Sequence, residues 1–112
     1  MENAPVGSQR LCRFAATNRK LTNAEEEAFL ETGVLPEGTG IDPAKRYFDL
    51  RTPDAELETR TESQVQREAQ GSFFCIVPVE EVGQYHWRGY GKDSEGKAVF
   101  STRRQSFRGM VF

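Results

Sequence analysis

The feature that most constrains this chain is the apolar run Phe73-Phe74-Cys75-Ile76-Val77-Pro78-Val79, the longest in the sequence. It falls well short of the ~18 apolar residues that a membrane-spanning helix needs, and it has the length of a buried strand. A strand apolar at nearly every position is suited to burial on both faces. Pro78 cannot donate to a ladder, so it stops this strand or places it near a sheet edge.

From Ser72 onward the pattern is β. Residues 84–90 and 97–103 alternate, and they flank Gly91-Lys92-Asp93-Ser94-Glu95-Gly96, a polar loop bracketed by glycines. That arrangement predicts a hairpin. With Tyr90 and Lys97 closing it, Trp87 opposes Phe100 and Tyr85 opposes Thr102 on the buried face. His86 then opposes Ser101, and Arg88 opposes Val99, on the other face; a slip of one residue would reverse the faces. Ser106 to Phe112 adds a strand with Phe107 and Val111 facing one way and Arg108, Met110 and Phe112 the other.

The N-terminal part mixes helix and strand signals. Residues 1–10 hold Pro5, Gly7 and Ser8 among isolated apolar groups and read as a flexible terminus, which leaves residues 11–112 as the domain. Leu11 to Ala16 is a short strand with Cys12 and Phe14 on one face. Thr22 with Glu25 three residues on is a capping box, and Gly33 suits the left-handed residue just past a helix end, so the spacing predicts a helix over 23–32. Its expected inner face is Ala24, Ala28 and Phe29, with Val34 covering Phe29 in a Schellman-type stop. Residues 35–44, with Pro36, Gly38, Gly40 and Pro43, form a turn-rich loop. Tyr47 to Arg51 alternates as a strand with Phe48 and Leu50 inward.

Residues 53–70 carry two patterns. Thr52 as cap, Pro53 at the first helical position, and Gly71 as terminator define a helix with Leu57, Thr61, Val65 and Ala69 stacked every fourth residue. The alternation of Ala55, Leu57, Thr59 and Thr61 against Glu56, Glu58, Arg60 and Glu62 instead suits an exposed strand joined to 47–51 by a Thr-Pro-Asp turn. The helix is preferred because start and stop signals are both present. The expected fold class is therefore α+β, one or two helices packed on a mainly antiparallel sheet of about four to five strands. At 112 residues this is one domain.

Function is constrained mainly by exclusion. The start Met1-Glu2-Asn3-Ala4-Pro5 lacks the basic segment and apolar block of a secretory signal, so the expectation is a cytoplasmic protein. Cys12 and Cys75 each lie in apolar stretches and read as reduced, buried thiols. With His86 they make three Cys/His residues without ligand spacing, so neither zinc nor another metal is expected. No phosphate-binding glycine loop, dinucleotide fingerprint or HExxH occurs, and no cofactor is implied. Cys75 paired with His86 makes a poor nucleophile because an apolar strand suppresses the thiolate. A hydrolase built on Ser101 or Ser106 lacks the GxSxG turn. For NAD-dependent ADP-ribosyl transfer, Arg13 and Ser101-Thr102 fall in a suitable order, but no acidic residue follows Glu95.

Charge is the remaining signal. Residues 1–82 carry 9 Lys+Arg against 15 Asp+Glu, whereas residues 83–112 carry 6 against 2, a balance of +4 within a chain of formal charge −2. The cations Arg88, Lys92, Lys97, Arg103, Arg104 and Arg108 are interleaved with Tyr85, Trp87, Tyr90, Phe100 and Phe107. Aromatics beside arginine are the ingredients of a surface that stacks bases and neutralises phosphates. The first expectation is a small regulatory or inhibitor-type binding protein, non-enzymatic, with Arg88, Tyr90, Arg103, Arg104 and Arg108 engaging a protein or a nucleic-acid-bound complex. Direct contact with RNA or DNA is a variant of it, and no membrane partner is implied. The alternative is a metal-independent ribonuclease in which His86, with Arg88 and Ser101 on the same face and Arg103 or Arg104 nearby, cleaves through the 2′-hydroxyl.

Overall fold

The computed structural model describes residues 2–112. Half of the chain is strand and 12% is helix. Among the described residues nine strands form two sheets: β1 (Glu2–Pro5), β2 (Gln9–Thr17), β3 (Lys45–Arg51), β4 (Leu57–Arg60), β5 (Gln66–Ala69), β6 (Ser72–Pro78), β7 (Gly83–Lys92), β8 (Phe100–Ser101) and β9 (Gln105–Met110). The five-stranded sheet runs β1-β9-β7-β3-β4 and the four-stranded one β5-β6-β2-β8. All pairings are antiparallel except β1 with β9, which is parallel. Among the described residues one α-helix, α1 (Asn23–Thr32), lies against β2.

This overturns the expectation of helices on one sheet. The inner faces of the two sheets enclose a shared core: Cys12, Phe14, Phe73, Cys75 and Val77 from one, and Phe48, Leu50, Tyr85, Trp87 and Phe107 from the other. No described helix is long and apolar enough to cross a membrane. Within residues 2–10, β1 runs along β9 and β2 begins at Gln9; Met1, the first residue of the expected flexible terminus, lies outside the described residues.

The helix over 53–70 does not form. Residues 52–56 are a tight turn in which the Ala55 N–H donates to the Thr52 carbonyl at 2.9 Å, the Thr52 N–H donates to Glu56 at 3.1 Å, and Ala55 takes a positive φ of 65°. The chain then pairs back on β3, Leu57 opposite Arg51, and after a 3-10 turn at Glu62–Gln64 it runs along β6 as β5. The physical reason is that the helical stripe held only two large apolar residues. Val65 alone of it is buried among core residues, and Leu57 is 62% exposed. Two strands in need of partners supply ladder hydrogen bonds that so thin a stripe could not match.

The apolar run 73–79 is covered on one face only. Phe73, Cys75, Val77 and Val79 are buried, whereas Ile76 is 45% exposed beside the equally bare Leu11 opposite it. Both cysteines are free and buried, as their apolar surroundings implied.

Helix α1 matches its expected bounds. Thr22 Oγ1 accepts from the Glu25 N–H at 3.2 Å and Glu25 Oε1 accepts from the Thr22 N–H at 2.9 Å. Gly33 closes it at φ 77°. The inner face differs: Glu26 and Phe29 are buried while Ala24 and Ala28 are exposed. Gly33 donates to the Phe29 carbonyl, the simpler left-handed stop, and Val34 points away at 69% exposure.

Candidate anion-binding cleft

β7 builds the site because it alternates. Tyr85, Trp87 and Gly89 are buried, and Gln84, His86, Arg88, Tyr90 and Lys92 take the opposite positions. The 97–103 segment does not pair with it as the hairpin required. One edge of β7 is occupied by β3 and the other, through Trp87, by β9, so only the tip of the loop closes back, at Lys92 and Ala98. Beyond that tip β8 leaves for the other sheet and pairs with β2. Trp87 therefore packs on Phe48, centroids 5.4 Å apart, rather than on Phe100, which is 53% exposed. Tyr85 stacks on Phe107 at 4.8 Å, and its hydroxyl accepts from the Glu80 and Glu81 N–H groups. The expected faces of Trp87 and His86 survive although the strand opposite them changes.

β3 supplies the other half of the surface. Its register sets Arg51 opposite His86, Asp49 opposite Arg88, Tyr47 opposite Tyr90, and Lys45 opposite Lys92. Asp49 is the one carboxylate in these four pairs, and it accepts from Thr59 Oγ1 at 2.9 Å. Tyr47 and Tyr90, both half-buried, stack at 5.3 Å. The Arg88 guanidinium lies 5.8 Å from the Tyr90 ring centre and Lys92 Nζ lies 5.5 Å from that of Tyr47. Burial first, then the charge of Asp49, raises the Tyr90 phenol above its ordinary value, so near neutral pH it is a neutral hydrogen-bond donor.

Two hollows meet on this surface. A groove of about 330 Å³ is lined by Asp49, Arg51, Leu57, His86, Arg88 and Arg104. Beside it a cleft of about 580 Å³ is lined by Lys20, Asn23, Glu26, Thr102 and Arg103, with Arg88 and Arg104 common to both. Among the described residues, Lys20, Arg51, Arg88 and Arg104 have no carboxylate within 4.0 Å. Arg103 is held: its N–H donates to Glu26 Oε1 at 2.9 Å, and its Nε lies 3.5 Å from the same oxygen. His86 Nδ1 is 2.7 Å from Ser106 Oγ.

Of the residues read from sequence, His86, Arg88 and Arg104 come together in the groove, and Arg88, Ser101, Arg103 and Arg104 in the cleft. Ser101 does not share the groove with His86; its Oγ is held at 3.3 Å from the Val99 carbonyl and 3.4 Å from the Gly91 N–H. Arg108 lies apart, in a shallow apolar hollow with Val82, Met110 and Val111. Sequence reasoning missed Lys20, Arg51, Tyr47, Asp49, Glu26 and Thr102. The outward positions of the 45–51 strand would have yielded three of them, had that strand been paired with β7. No family model matches the chain, and no curated protein matches its sequence.

Proposed function

We propose that this chain is a small binding protein that docks on single-stranded nucleic acid through its basic, aromatic β-surface, acting as a regulator that occupies its partner without altering it. The observation that carries the reading is the Tyr47–Tyr90 stack set between Arg88 and Lys92 and continued by Arg51 and Arg104. Unpaired bases offer faces to such rings while the adjacent phosphates meet the cations. An acidic protein would use the cations and leave the tyrosines idle, and a duplex would present its phosphates with the bases enclosed.

One observation favours the ribonuclease alternative, namely His86 within a groove that also holds Arg51, Arg88 and Arg104. Cleavage calls for a second acid–base group. Asp49 is engaged by Thr59, and the Tyr90 phenol, raised above its ordinary value, keeps its proton near neutral pH and is a weaker acid than a free phenol. Incubating single-stranded RNA with wild type and His86→Ala in EDTA separates the two. The binding reading predicts intact RNA retarded by both proteins; cleavage by wild type alone would replace it with the ribonuclease.

A further inference from the structure

We infer that the 580 Å³ cleft beside the sheet is a pocket for a phosphomonoester, the phosphorylated end of the strand proposed above to lie on the β-surface, an assignment that rests on that reading. Charge is the first argument. Lys20, Arg88, Arg103 and Arg104 line the cleft against a single carboxylate, Glu26, and Glu26 is engaged by Arg103. Three cations are left over. An internal phosphodiester brings one negative charge, whereas a terminal phosphate brings about −1.5 to −2 at neutral pH and three strong acceptor oxygens. The terminal group is the better match to three cations lining one cleft, two of them forked guanidiniums.

Thr102 gives a second, independent argument. It lines the cleft at 2% exposure, and its Oγ1 is the one buried side-chain polar atom among the described residues with no hydrogen-bond partner. Folding leaves such a group unpaired at a cost, and a ligand oxygen satisfies it. Size agrees, since small-molecule pockets run from about 300 to 1,000 Å³ and this one has room for a nucleotide. Position agrees as well. Arg88 and Arg104 line both hollows, so a strand crossing the sheet is led to the cleft.

The test is equilibrium binding of four probes: one short RNA with a 5′-phosphate, with a 3′-phosphate and with hydroxyls at both ends, and adenosine monophosphate alone. An advantage of roughly tenfold or more for either phosphorylated end over the hydroxyl form is expected. That advantage should shrink in Lys20→Ala, an exposed change, and in Thr102→Val, and persist in Thr102→Ser, which keeps the hydroxyl. Equal binding of all three RNAs overturns the pocket and leaves the β-surface reading standing. Binding of adenosine monophosphate, weakened by Lys20→Ala, while no RNA binds supports the pocket and overturns the β-surface reading.

Discussion

Gly89 is the place where the packing of the two sheets can be tested with one methyl group. It sits on β7 opposite Phe48, its bare Cα against the ring of Phe14 on β2. A Cβ at this position would lie 2.0 Å from Phe14 Cγ and Cδ1 and 2.5 Å from Cε1. Restoring an ordinary carbon–carbon separation of ~3.5 Å requires the ring to retreat by roughly 1.5 Å. It has little room to do so, being fully buried and packed on Phe73 with centroids 5.5 Å apart. Overpacking of this kind costs about 1–3 kcal/mol, and the contact with three ring atoms puts it at the upper end. Gly89 does not adopt a positive φ, so alanine regains about 0.4–1 kcal/mol by restricting the unfolded chain. The net expectation for Gly89→Ala is a loss of about 2 kcal/mol, read from urea denaturation followed by the fluorescence of the single tryptophan, Trp87. Combining it with Phe14→Leu should cost less than the two separate losses added together, by about 0.5–3 kcal/mol. A Gly89→Ala midpoint at or above wild type, or strict additivity, would refute the face-to-face placement of β2 and β7.

Thr22→Ala removes one arm of the capping box and should cost about 0.5–2 kcal/mol, with Gly33→Val worse because φ there is 77°; denaturation midpoints check both. Trp87→Ala should lose about 3–5 kcal/mol, since its ring is buried on Phe48, whereas His86→Ala on the outer face should lose under about 1 kcal/mol. Burial pushes the Cys12 thiol up from about 9 to about 12, so the folded state favours the protonated form. That contribution is full below pH 9 and is lost as pH rises toward 12; the urea midpoint of wild type should fall over this range by more than that of Cys12→Ala.

What could be read from the residues was local and what could not was a matter of partners. The capping box of α1 and its closing glycine act within a few residues of one another, so Thr22, Glu25 and Gly33 specified that helix without tertiary help. The alternation of 84–90 likewise sorted Tyr85 and Trp87 from His86 and Arg88 regardless of which strand lies alongside. Pairing is different, because two strands separated by a polar loop look like a hairpin unless a distant strand takes the edge first. Here β3 and β9 do so, and Phe100 goes to β2. The same competition decided residues 53–70, whose helical signals at Thr52, Pro53 and Gly71 are equally good turn residues. Site residues followed suit: those carried by β7 were visible, whereas Arg51 and Tyr47 joined that surface only through the long-range pairing of β3 with β7, and Lys20 only by lining the same cleft as Arg88.

The central claim, that the β-surface holds nucleic acid through its cations and tyrosines, is tested most directly by the salt dependence of single-stranded RNA binding. Fluorescence anisotropy over a range of salt concentrations would compare wild type with Arg51→Ala/Arg88→Ala, both exposed positions. Single strands lose about 0.7 in the slope of log K against log salt for each phosphate contact removed. The double variant should therefore bind more weakly with a slope shallower by about 1.4, while keeping the wild-type denaturation midpoint within about 0.5 kcal/mol. A wild-type protein that does not bind, or a double variant with unaltered affinity and slope, would contradict the account.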